Sequence, residues 1–142
     1  NEKINNPGAE VITDSLRILP QTLKKKERLC SQKAIETLFG SGSRSLSAYP
    51  LRAVYRKVER GQTPAVVLIS VSKRRLHHAV DRNRVKRQLR EAYRRNKHLL
   101  WQSIAPEETL HIAFIWLSSE HFPSDVVEAR MVNLLQRISE KQ

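Results

Sequence analysis

Arg82, Lys86, Arg90 and Arg94 recur at intervals of four within a stretch whose apolar residues follow a helical period. On a helix each such step sets side chains about 5–6 Å apart, commensurate with successive phosphates along a nucleic-acid strand. Arg84, Arg87 and Arg95 widen this basic face. The chemistry it offers is charge neutralisation of a polyanion. A charge run is more often a solvated face, but acids four residues away are nearly absent here. Such a ridge repels itself when alone, and a partner that neutralises it would offset that cost.

Other chemistries find little support. His77 and His78 are adjacent, so their rings diverge, and no Cys or carboxylate cluster accompanies them at zinc-ligand spacing. Neither Glu107–Glu108 nor Glu27 and Glu36 has a His or Lys placed for acid/base work. Gly-rich phosphate loops and a Ser/His/Asp order are missing from the sequence. The polypeptide is therefore expected to have no catalytic residues and no metal site of its own. Cys30 is the single cysteine, which excludes an intrachain disulfide, fits a reducing cytoplasm and reads as a small buried hydrophobe.

The charge is focused. Of a formal net +12 over 142 residues, residues 73–98 carry +9 and residues 23–72 carry +7. Residues 1–22 and 99–142 are acidic on balance, at −1 and −3. An imbalance of this size points to nucleic acid first and an anionic membrane surface second. The longest uninterrupted apolar run, Ile112 to Leu117, is far too short for the roughly 20 residues of a membrane span.

These residues need a scaffold, and the length suits one domain. Residues 1–22 have mixed polarity and two prolines, and read as a flexible tail before a domain over residues 23–142. Ser31 can cap a short helix with Ile35, Leu38 and Phe39 as its apolar stripe, ended by Gly40 or Gly42. Arg44 to Ser47 reads as loop. Leu51 to Val58 alternates as a strand with basic residues on one face, and Ala65 to Val71 is a β-branched run suited to a buried strand. From Ala79 to Leu100 the stripe Val85, Leu89, Ala92, Asn96 and Leu99, with Tyr93 beside it, predicts a helix. Leu110 to Leu117 is another strand, and Ser124 can cap a closing helix lined by Val127, Met131, Leu134, Leu135 and Ile138. The order predicts a small α+β sandwich.

Ser70-Val71-Ser72-Lys73-Arg74, followed by Ala79-Val80-Asp81-Arg82-Asn83-Arg84-Val85-Lys86-Arg87-Gln88-Leu89-Arg90-Glu91-Ala92-Tyr93, resembles the signature of the bacterial ribonuclease P protein component. Arg28-Leu29 and a short helix ending in Phe39 and a glycine resemble the opening of that family, and the likeness runs from about Lys24 to the C-terminus. The resemblance implies an α+β sandwich related to a ribosomal protein domain, with a left-handed βαβ crossover. It also implies the protein subunit of a ribonucleoprotein that removes the 5′ leader of precursor tRNA. An RNA subunit performs the hydrolysis there and is the main holder of Mg²⁺. The implied partners are that RNA and the leader; no stable protein partner is evident.

By the same resemblance, Arg82, Asn83, Arg84, Lys86, Arg87 and Arg90 face the catalytic RNA, joined by the basic pair Lys73 and Arg74. Guanidinium forks suit phosphate oxygens, and Asn83 can both donate and accept. Phe39 and Tyr55 match aromatic positions of a cleft between first helix and sheet where the leader lies. Read without the family, both would be ordinary core residues. Ile35 stands where a further cleft aromatic is often found, and Ile115 to Ser119 replaces a usual basic pair. Two other readings remain. One is a stand-alone or ribosome-associated RNA-binding protein. The other is a DNA-binding module, disfavoured because the helix carries few amides for base-edge readout beyond Asn83 and Gln88.

Overall fold

Ser31 caps as its position predicts: its hydroxyl accepts from the Ala34 N–H at 3.3 Å and opens helix α1, Gln32–Leu38. The computed structural model describes residues 25–142. The tail expected over residues 1–22 lies outside the described residues. A 3-10 turn, Lys25–Glu27, precedes α1. Strands β1 (Arg44–Ala48), β2 (Leu51–Glu59) and β3 (Ala65–Ser70) come next. They are followed by helices α2 (Ala79–Asn96) and α3 (His98–Trp101), strand β4 (Glu108–Trp116) and helix α4 (Ser124–Ser139).

The four strands form one sheet in the order β1-β2-β4-β3, with β3 and β4 parallel and the other pairs antiparallel. Parallel neighbours need a crossover, and α2 supplies it. Strand alternation sorts the side chains between two layers. Leu51, Ala53 and Tyr55 of β2, Ala65 and Val67 of β3, and Leu110, Ile112, Phe114 and Trp116 of β4 meet the apolar faces of α2 and α4 in the main core. On the other face, Val54 and Ala113 pack against Leu29 and Leu38. The central strand β4 is thus covered on both sides, which explains its nearly continuous apolar run.

Four local expectations are corrected. Residues 44–47, read as loop, belong to edge strand β1, where only Leu46 and Ala48 pack inward and serines mask the alternation. The long helix breaks after Asn96, and the short α3 turns Leu100 into the core in place of the expected Leu99. Pro123, not Ser124, holds the N-cap of α4, while the Ser124 hydroxyl accepts from Gln88 Nε2 at 3.0 Å. Cys30 is exposed, because Leu29 takes the inward position of that extended segment.

Both sheet edges are partly covered. On the β1 side, Arg137 of α4 donates to the Ser47 carbonyl at 2.8 Å, and Arg130 donates to that of Tyr49 at 2.9 Å. On the β3 side, the Leu29 N–H donates to the Val67 carbonyl at 2.8 Å. Gly42 has φ +94, and a Cβ there would lie 3.0 Å from Arg56 Nη1. Gly42→Ala is expected to destabilise the fold by about 1–2 kcal/mol, read as a lower urea midpoint at unchanged slope.

Candidate nucleic-acid interface

The segment from Ser72 to His78 is a built turn. Leu76 is buried and anchors it, the Ser72 carbonyl accepts from the N–H groups of Arg75 and Leu76, and Lys73, Arg74 and Arg75 are left exposed. Arg82 fastens this turn to α2, its Nη1 donating to the carbonyls of Leu76 at 2.9 Å and His77 at 2.8 Å. Two further contacts fix α2 against the segment between β4 and α4. Asp81 meets His121 at 3.0 Å, and Gln88 Nε2 donates to the Phe122 carbonyl at 3.0 Å.

The four-residue ridge is therefore refined. At 3.6 residues per turn each step of four drifts by about 40°, so the line from Arg82 to Arg94 winds across the helix. Arg82, Lys86 and Arg94 are half-buried, while Asn83, Arg84, Arg87 and Arg90 are exposed. Around the C-terminal end of α2 the basic side chains are paired. Arg94 pairs with Glu91, Arg95 lies 3.7 Å from Glu128, and Lys97 donates to Glu27 at 2.8 Å. By contrast Lys73, Arg74, Arg75, Arg84, Lys86, Arg87 and Arg90 form no ion pair among the described residues. The Arg90 guanidinium is desolvated by its neighbours, though open to solvent at one side, and Arg28 and Arg87 add repulsion; together these lower its pKa.

A second basic surface lies on the opposite face of the sheet. Ser31, Lys33, Ala34 and Thr37 of α1, with Arg56 and Val58 of β2 and His111 of β4, line a cleft of about 280 Å³. Arg52 and Arg56 share this outer face with Val54, as the alternation of β2 predicts. Phe39, just past the end of α1, is 47% exposed and so is not a core residue. Tyr55 does not reach this cleft. Its position in β2 turns it to the α2/α4 layer, where it is 3% exposed. Trp116 likewise faces the main core, its ring 5.7 Å from that of Phe122.

His111 gives the cleft a pH dependence. Desolvation lowers its pKa, so it is neutral near pH 7. With the folded-state pKa below the unfolded value of about 6.5, the unfolded chain binds the proton first as pH falls. The contribution to stability is present above about pH 6.5 and lost as pH drops through the folded pKa. Compared with the parent chain, His111→Gln is expected to flatten this part of the stability profile, measured by urea titrations between pH 7.5 and 5.

The family model that matches is Ribonuclease P, over residues 23–139. The chain belongs to the ribonuclease P protein family. A ribonuclease P protein component from Porphyromonas gingivalis is 44% identical over 120 residues, covering 82% of this chain and 86% of that protein. One from Chlorobium phaeobacteroides is 43% identical over 84 residues, covering 56% and 57%. The RNase P protein of Thermotoga maritima aligns with a TM-score of 0.62 at 27% identity, over 78% of this chain and 96% of that one. A Staphylococcus aureus RNase P protein shares the fold, with a TM-score of 0.62 at 17% identity, over 79% and 94%.

Within this ribonuclease P protein domain, Lys73, Arg74, Arg82, Asn83, Arg84, Lys86, Arg87 and Arg90 all lie on α2 or the turn that Arg82 fastens to it. Phe39 stands apart on the α1 side, and Tyr55 joins neither group. Arg56 and His111 are not singled out by the sequence, and Arg28 enters there only as part of the family's opening. Arg56 was within reach of the strand pattern, whereas Arg28 and His111 acquire their surroundings from tertiary packing alone.

Proposed function

We propose that this chain is the protein subunit of a ribonucleoprotein endonuclease that removes the 5′ leader of precursor tRNA. In this reading the turn at Lys73–Arg75 and the exposed face of α2 hold the catalytic RNA, and the cleft under α1 receives the leader. The observation that carries it is the set of seven basic side chains, unpaired among the described residues, on α2 and its adjoining turn. Guanidinium and ammonium groups placed this way neutralise phosphates and release counterions. Phe39 supplies an exposed ring on which a base can stack, a contact worth about 1–3 kcal/mol with little sequence preference.

The described residues contain no group of three His, Cys, Asp or Glu able to hold a metal ion. In this reading the Mg²⁺ that the family implies is held mainly by the RNA subunit. Among the described residues, no helix is long and apolar enough to cross a membrane. The proposed site of action is the cytoplasm, where the RNA partners reside.

The test is cleavage of a 5′-extended precursor tRNA by a bacterial ribonuclease P RNA at low Mg²⁺, with and without this protein. Protein-dependent cleavage at the leader junction is the expected result. Binding without rescue, using a cognate RNA, would favour a stand-alone RNA-binding protein.

A further inference from the structure

Tyr49 is 61% exposed, yet it is held at three points. It opens the two-residue turn between β1 and β2. Its carbonyl accepts from Arg130 Nε of α4 at 2.9 Å, and the next carbonyl, that of Pro50, accepts from the Leu117 N–H at 2.8 Å. The ring packs edge-on against Phe122, with centroids 6.1 Å apart, and Phe122 packs in the same manner on the buried Trp116. A single exposed aromatic is ordinary on a protein surface. One whose backbone and ring are both fixed is already ordered in the free fold, so little freedom is left to lose on binding.

The surroundings of the ring decide what it can take. Phe122 belongs to the segment fastened to α2: its carbonyl accepts from Gln88 Nε2, and its neighbour His121 meets Asp81. Asp81, Arg84 and Gln88 lie at i, i+3 and i+7, along one line of the helix. Arg84 is therefore set between two residues that touch this segment, and it is exposed. Val80, which precedes Asp81, is 79% exposed. Two of the three large apolar side chains left exposed among the described residues thus flank His121 and Phe122; Phe39 is the third. The charge beside the ring is mixed, with Arg130 set against the exposed Glu120 and Asp125. A phosphate gains little there, whereas the flat, uncharged face of a nucleobase suits an exposed ring.

We propose that Tyr49 is a stacking platform for an unpaired nucleobase of the RNA whose backbone is held on α2 at Arg84. The proposal rests on the reading of α2 as the RNA-binding face and extends that face across Phe122 to the turn between β1 and β2. The occupant is a single-stranded stretch of RNA, because a duplex keeps its base faces stacked inside. The ring carries the contact, and the hydroxyl is not required.

The full chain is compared with Tyr49→Leu, Tyr49→Phe and Tyr49→Trp. Filter binding to a bacterial ribonuclease P RNA is measured at several salt concentrations, with duplex DNA as control. Tyr49→Leu keeps an apolar contact with Phe122 but has no ring. It is expected to bind the RNA about tenfold more weakly at an unchanged salt slope, since no phosphate contact is lost. Tyr49→Phe is expected to restore the parent affinity, and duplex DNA to bind all the chains alike. In Tyr49→Trp, saturating RNA is expected to quench the emission by more than the parent shows from Trp101 and Trp116. Equal RNA affinity of Tyr49→Leu and the parent would overturn the proposal, as would an equal loss on duplex DNA or no added quenching in Tyr49→Trp. The Trp variant keeps the test valid if Tyr49→Leu fails to fold. A dimer of the parent that Tyr49→Leu abolishes, with RNA affinity unchanged, would reassign the ring to a contact between copies. Weak, salt-insensitive RNA binding by the parent would instead sink the reading of α2 on which the proposal rests.

Discussion

Replacing Arg87 and Arg90 together by alanine is expected to weaken binding of ribonuclease P RNA about 100-fold near physiological salt. Each exposed guanidinium makes charge-assisted contacts worth about 1.5 kcal/mol or more, a factor of ten apiece. The salt dependence should change with the affinity. Each lost phosphate contact removes about 0.7–0.9 from the slope of log affinity against log salt, so the double variant should be shallower by about 1.5. Its fold should be unharmed, because neither side chain is paired among the described residues and Arg87 repels Arg90.

Arg82→Ala provides the contrast. This side chain spends its Nη1 on two carbonyls of the preceding turn. Its loss is expected to lower affinity by loosening Lys73 to Arg75, with little change in slope. A filter-binding series over several salt concentrations reads both quantities, and an unchanged slope in the Arg87/Arg90 variant would remove α2 as the interface.

This difference between Arg82 and Arg87 marks how far the sequence could be read. Period and charge placed both residues on one helix. They could not tell which guanidinium would be consumed internally, because that depends on the path of the turn from Ser72 to His78. The same holds for the aromatics. Tyr55 and Phe39 looked alike as cleft candidates, but strand alternation carries Tyr55 to the α2/α4 side and the end of α1 leaves Phe39 in the open. Strand β1 escaped notice because an edge strand buries only half a face, and here that half is Leu46 and Ala48. The central elements were legible for the opposite reason. Helix α2 and strand β4 bury whole faces, and burial is what writes a period into a sequence.

The second large effect concerns stability. Glu27 is 3% exposed and accepts from Lys97 at 2.8 Å, while the same ammonium lies 4.7 Å from the centre of the Trp101 ring. Trp101 in turn donates to the Tyr93 hydroxyl at 2.9 Å. This cluster ties the segment before α1 to the junction of α2 and α3. Lys97→Met keeps the aliphatic stem but removes the charge facing a buried carboxylate. It is expected to cost about 3 kcal/mol, as breaking one side of a buried pair does.

Adding Glu27→Leu to Lys97→Met should recover much of that loss, since an apolar pair of similar volume can replace a buried ion pair. Urea titrations of the single and double variants form the measurement. Equal stability of Lys97→Met and the parent would mean the pair is solvated in practice. RNA affinity should fall in Lys97→Met as well, because Arg28 follows Glu27 directly and acts on Arg90.

The partly covered sheet edges bear on how the chain behaves on its own. A four-stranded open sheet ordinarily presents two bare rows of backbone groups, each a template for a strand from another molecule. Here arginines from α4 take the Ser47 and Tyr49 carbonyls on one side, and Leu29 takes the Val67 carbonyl on the other. A net charge of +12 adds repulsion between copies of the chain. Blunted edges and mutual repulsion both work against strand-to-strand association, so the same arginines that brace the sheet also guard its edge.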